Sequence, residues 1–99
     1  MAKIACVTTL KALPGKGAEL LRHCEIYGPR FVATEPGTLR IELLTPVNEP
    51  DTVVVWDVYE SVAAIEAHRN GDLLREFRDG AKDMLLSMSG VRHSLVEQQ

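Results

Sequence analysis

Alternating and helical hydrophobic patterns succeed one another along the chain, separated by glycine and proline. Residues 3–11 alternate: Ile4, Cys6, Thr8 and Leu10 point one way, Ala5, Val7 and Thr9 the other. That predicts a strand with apolar character on both faces. Leu13-Pro14-Gly15-Lys16-Gly17 reads as a turn. From about Ala18 the spacing of Leu20, Leu21, Cys24 and Tyr27 predicts a helix with one apolar stripe. Gly28-Pro29 is expected to end or kink it, because an interior proline costs about 3 kcal/mol, and Arg30 to Thr34 to add a short turn. Glu35-Pro36-Gly37 breaks the chain. Residues 38–45 set Leu39, Ile41 and Leu43 against Arg40 and Glu42, as a strand does, and 46–51 form a polar turn. Thr52 to Tyr59, β-branched and aromatic, carries the strongest strand signal, with Val53, Val55, Asp57 and Tyr59 on one face and Val54, Trp56 and Val58 on the other. Ser61 is a helix cap for a segment holding Val62, Ala64, Ile65 and His68, broken near Asn70-Gly71. Asp72 is expected to cap the next helix. Its apolar side runs through Leu73, Leu74, Phe77, Ala81, Met84, Leu85 and Met88 to Ser89-Gly90. Val91 to Val96 reads as the final strand.

The order strand, helix, strand, strand, helix, strand is the split βαβ pattern of an α+β, ferredoxin-like fold with a four-stranded antiparallel sheet. Ninety-nine residues, 1–99, make a single domain. Helices cover only one face of such a sheet, yet Val54, Trp56 and Val58 make the other face apolar as well. An apolar patch of that kind marks an interface, so a homodimer through the sheet face is expected.

Composition narrows the function classes. The apolar share is 45% and the charged share 25%, as in an ordinary folded protein. With 11 basic and 14 acidic residues the net charge is -3, which argues against nucleic acid as a partner. No apolar run is long enough to span a membrane, and the amino-terminal stretch lacks the pattern of a signal peptide. Cys6 and Cys24 do not make a disulfide framework, which points to reduced thiols and a cytoplasmic protein. His23, His68 and His93 have no zinc-ligand spacing, and no flavin or nicotinamide fingerprint occurs, so neither a metal nor a cofactor is expected.

Three segments carry a family resemblance. Glu35-Pro36-Gly37-Thr38-Leu39-Arg40, then Val55-Trp56-Asp57-Val58-Tyr59-Glu60-Ser61, then Ala64-Ile65-Glu66-Ala67-His68 together resemble the antibiotic biosynthesis monooxygenase family. The resemblance implies the dimeric α/β barrel. It also implies one of that barrel's activities: cofactor-independent quinol oxidation, haem degradation or sugar-phosphate isomerisation. Ser61 and His68 match the family pattern directly, Tyr59 stands at its Trp or Tyr position, and Asp57 stands where Glu is usual. The stretch Arg69-Asn70-Gly71-Asp72-Leu73 lacks the second His that many members carry. The haem-degrading branch fits poorly, because the first strand offers Thr8 or Thr9 where that branch has Asn, and no His lies between His68 and His93.

The candidate chemistry follows from these residues. His68 is either a structural hydrogen-bonding residue or a general base, for which an imidazole suits neutral pH. Asp57, on an apolar strand face, needs a partner, and either braces the fold or orients His68 or a substrate hydroxyl. Tyr59 is a third catalytic candidate, Val55 and Phe77 are candidate substrate walls, and Trp56 is a dimer anchor. In a cofactor-free monooxygenase an electron-rich phenol or quinol loses a proton, and its anion reduces oxygen. The protein supplies a dry pocket, a base and hydrogen-bond donors. A non-oxidative isomerase or cyclase acting on a carbonyl compound, and a small-molecule-binding dimer without turnover, are the alternatives.

Overall fold

A computed structural model describes residues 2–97. Its elements are β1 (Ile4–Ala12), α1 (Gly17–Thr34), β2 (Thr38–Leu44), β3 (Thr52–Tyr59), α2 (Val62–Arg69), α3 (Asp72–Ala81) and β4 (Leu85–Ser94). The strands form one antiparallel sheet in the order β2-β3-β1-β4. This is the α+β, ferredoxin-like arrangement that the element order implies.

All three helices lie on one sheet face. Leu10 and Val53 from that face meet Leu20, Cys24 and Phe31 of α1 and Leu74, Phe77 and Ala81 of α3 to form the core. The start of α1 is pinned from a distant loop: the Asp51 carboxylate accepts from the Gly15 and Gly17 backbone N–H groups at 3.1 and 3.0 Å. A carboxylate there satisfies amides that a helix leaves open and meets the positive end of its dipole. The contact requires glycine twice. Gly15 turns with φ +81°, and a Cβ on Gly17 would overlap the Pro50 carbonyl.

Four expectations need correction. First, Gly28-Pro29 does not end α1, which continues to Thr34 with Pro29 inside it. Proline removes one N–H from the ladder, but Phe31 beyond it is buried in the core and Gly28 before it is buried too, so tertiary contacts outweigh the local cost. Second, α3 stops at Ala81, and Leu85 to Met88 belong to β4. The Leu13 N–H bonds to the Met84 carbonyl, and Met88 lies opposite Leu10 on β1, so the strand ladder captures a run whose spacing also fits a helix. Third, Asp72 is not the cap of α3; Gly71 holds that position and Asp72 pairs with Arg75 in the first turn. Fourth, Leu39 does not share a face with Ile41 and Leu43. The register shifts between Thr38 and Arg40, leaving Leu39 as a bulge residue that is 41% exposed.

Ser61 caps α2 as expected, accepting from the Ala64 N–H at 3.2 Å. The helices lean on β2 and β3 and leave β4 largely uncovered.

Candidate active site

A cavity of about 330 Å³ lies between the sheet and the helices. Val55, Asp57, Tyr59, His68 and Phe77 all line it. The alternation of β3 explains three of the five, since every second side chain from Val53 to Tyr59 points toward the helices. His68 descends from α2 and Phe77 from α3 to close the opposite wall.

The imidazole of His68 is held from one side. Its Nδ1 lies 2.8 Å from Glu35 Oε1, and the same oxygen accepts from Thr38 Oγ1 at 2.7 Å. Phe31 packs edge-on against the ring at 4.8 Å and Tyr59 lies 5.3 Å away, centroid to centroid. A carboxylate at Nδ1 fixes the neutral tautomer with its proton there. Nε2, on the far side of the ring, is then the nitrogen that can accept a proton.

Asp57 does not play the orienting role toward His68 that was one reading of it. The carboxylate at His68 is Glu35, whose Glu-Pro-Gly run carries part of the family resemblance but which is not among the candidate site residues read from the sequence. Asp57 instead accepts from the Tyr59 hydroxyl through Oδ2 at 2.6 Å. The two residues are neighbours on one strand face, so their side chains meet across the intervening Val58. Asp57 is 7% exposed, and its second oxygen, Oδ1, is buried with no hydrogen-bond partner among the described residues. Burial pushes the Asp57 carboxyl above the ordinary aspartate range; the Tyr59 hydroxyl and the nearby His68 work against that rise. Burial, followed by the negative charge of Asp57, drives the Tyr59 hydroxyl far upward, so it stays protonated as a donor.

The cavity has a graded lining. Cys6, opposite Asp57 on β1, has its thiol raised by burial first and by Asp57 second. Cys24 lies deeper still, its thiol pushed up to about 11 by burial. Both are free, and neither is poised as a nucleophile. The lining also includes Gly90 and Arg92 from β4, Arg69 from α2 and Arg78 from α3, none of which stands out in the sequence as a site residue. A Cβ on Gly90 would approach Thr8 Oγ1 at 3.1 Å, so glycine keeps this part of the cavity floor low.

The other histidines are elsewhere. His23 Nε2 meets the Phe77 carbonyl at 2.8 Å and ties α1 to the last turn of α3. His93 lies exposed on β4, opposite Ala5. Among the described residues, no three His, Cys, Asp or Glu side chains converge as metal ligands do.

The sequence profile of the antibiotic biosynthesis monooxygenases matches residues 3–80. The chain belongs to the antibiotic biosynthesis monooxygenase family. Solved structures share the fold. PA3566 from Pseudomonas aeruginosa superposes with a TM-score of 0.86 at 18% identity, over 98% of this chain and 97% of its own. A candidate antibiotic biosynthesis monooxygenase from Caulobacter crescentus gives 0.86 at 26% identity, over 97% and 92%. NE2512 from Nitrosomonas europaea, of unknown function, gives 0.84 at 26% identity, over 100% and 94%. A search of curated proteins finds no match to this sequence. This fold brings Glu35 of the Glu-Pro-Gly run into contact with His68 of the Ala-x-x-x-His run.

Proposed function

We propose that the protein is a cofactor-independent monooxygenase that oxidises a small hydroxylated aromatic compound, a quinol or polyphenol, with O2. The observation that carries this reading is the Glu35–His68 contact at the wall of an apolar cavity. With its proton held at Nδ1, His68 accepts a phenolic proton through Nε2, and Glu35 stabilises the imidazolium that forms. The phenolate then transfers electrons to oxygen. For a hydroquinone the balance is one substrate and one O2 giving one hydroxyquinone and one water. One oxygen atom enters the ring, the other leaves as water, and the substrate supplies the electrons. The Tyr59–Asp57 pair places a neutral donor and a buried carboxylate beside the reacting ring, and Val55 and Phe77 are its apolar walls.

The outer sheet face supports a second element of the proposal, a homodimer. Val54 and Trp56 are half-buried there with no helix over them, and Val91 nearby is 56% exposed. Two such sheets packed face to face cover this surface. Among the described residues no helix is long and apolar enough to cross a membrane.

Oxygen uptake tests the reaction. The purified protein, without added cofactor, is expected to consume oxygen with a hydroquinone panel faster than autoxidation. His68→Ala should lower that rate by about 10²–10⁴-fold, the usual value of a general base. A wild-type rate equal to autoxidation, or a His68→Ala rate equal to wild type, ends the monooxygenase reading. Substrate isomerisation or cyclisation without oxygen uptake would instead assign the same base to non-oxidative chemistry.

A further inference from the structure

We infer that the natural ligand of this cavity is a hydroxylated aromatic carboxylate, bound with its acid group among Arg69, Arg78 and Arg92 and a hydroxyl on Asp57 Oδ1. The inference rests on the monooxygenase reading only for the aromatic hydroxyl; the carboxylate is argued from the arginines.

The chain as a whole is acidic, yet the charged lining of the cavity is mostly cationic. Three of the seven arginines line it, and no lysine does. The only carboxylate in the lining is Asp57, which is buried, while the three arginines are exposed. Arg30, Arg40, Arg75 and Arg92 each hold a carboxylate, Arg92 through Glu66 at 3.1 Å. Arg69 and Arg78 hold none among the described residues. Two guanidiniums at a cavity mouth with no acidic partner favour an incoming anion, and the planar fork of each matches a carboxylate.

Asp57, on the β3 wall of the same cavity, makes an independent demand. Asp57 Oδ1 is buried and unpartnered in a cavity-lining residue. A buried polar atom without a hydrogen bond is costly, and a ligand hydroxyl would satisfy it. Val55, Phe77 and Leu10 give the cavity apolar walls. The matching ligand therefore carries a carboxylate and a hydroxyl on an aromatic ring.

Isothermal titration of the protein with 2,5-dihydroxybenzoate, its methyl ester and 2,5-dimethoxybenzoate tests this directly. The free acid is expected to bind at least about tenfold tighter than the ester, the size of one charge-assisted hydrogen bond. The dimethoxy acid, which has no hydroxyl to donate, should also bind more weakly than the dihydroxy acid. In the Arg69→Gln/Arg78→Gln double variant the preference for acid over ester should collapse to within about threefold. Arg22→Gln, on the exposed face of α1 outside the cavity, should keep that preference. Equal binding of acid and ester, no binding of the acid at millimolar concentration, or a preference that survives the double variant overturns the inference. The oxygen electrode separates this outcome from the reaction. Acid-selective binding without oxygen uptake removes the monooxygenase reading and keeps the ligand class. Oxygen uptake that treats acid and ester alike does the reverse.

Discussion

The two faces of β3 are built from one stretch of eight residues and do opposite things. Toward the helices, Val55, Asp57 and Tyr59 line the cavity, and β3 brings to it one hydroxyl and one carboxylate, of which one oxygen has no partner among the described residues. Away from the helices, Val54 and Trp56 present half-buried apolar area while Val58 is already buried within the protomer, and the Arg40 guanidinium lies over the Trp56 ring at 5.5 Å. On the inner face free energy is concentrated in a few hydrogen bonds whose loss changes chemistry. On the outer face it is spread over area, and its loss should change assembly. A strand covered on both sides looks uniform in sequence, because alternation shows that two faces exist and not what each is for.

The largest effect is expected where a charge replaces area. Trp56→Asp puts a carboxylate into the centre of the proposed sheet-to-sheet contact, and an unpaired buried charge costs about 3–5 kcal/mol. Sedimentation at micromolar concentration should find a dimer for the wild type and a monomer for the variant, with circular dichroism reporting whether the protomer stays folded. A wild type that sediments as a monomer removes the functional distinction between the two faces. The corresponding inner-face change, Val55→Asp, should alter ligand binding and leave the mass alone.

Glu35→Gln probes the inner face at its polar centre. Glutamine keeps the shape and can still meet His68 Nδ1, but it does not stabilise an imidazolium by charge. A hydrogen bond to a charged group contributes about 1.5–3 kcal/mol, so kcat should fall by roughly 10–100-fold with KM little changed. If kcat is untouched while thermal stability drops, Glu35 only braces the loop at residues 35–38, and His68 loses its claim to be a base supported by Glu35.

Much of this was legible in the sequence. The fold class, the four strands and the faces of β3 follow from periodicity and β-branching, because period-two alternation survives whatever the strand packs against. The placement of Val55, Asp57, Tyr59, His68 and Phe77 around one cavity follows from the same faces. Less legible was anything that depends on contacts between distant segments. Pro29 stays inside α1 because Phe31 is buried beyond it. Leu85 to Met88 become strand because β1 offers a ladder. Glu35 reaches His68 across 33 positions, and Glu35-Pro36-Gly37 announces a turn without announcing a partner. The arginines were invisible for the same reason: each is an ordinary surface residue until α2, α3 and β4 fold around one cavity.

The smallest effect is a pH dependence, and its direction runs against the usual one for aspartate. Most carboxylates in folded proteins are held below their unfolded value and lose stability in acid. Asp57 is raised by burial, so the folded state binds its proton more tightly than the unfolded chain, where aspartate titrates near about 3.9. Its contribution is fully present below that unfolded value and is lost as pH rises through the higher folded value. Asp57→Asn removes the titration and keeps an acceptor for the Tyr59 hydroxyl. Urea unfolding across mildly acidic pH should therefore show the variant gaining stability relative to wild type as pH rises, with the two differing least in favour of the variant at the acid end. Tyr59→Phe, which removes the side-chain donor from the carboxylate, should enlarge the same pH dependence, since among the groups that oppose the rise the Tyr59 hydroxyl comes first. Parallel stability curves for wild type and Asp57→Asn would mean that water reaches Oδ1, and the inner face would then lose the dryness that sets it apart from the outer one.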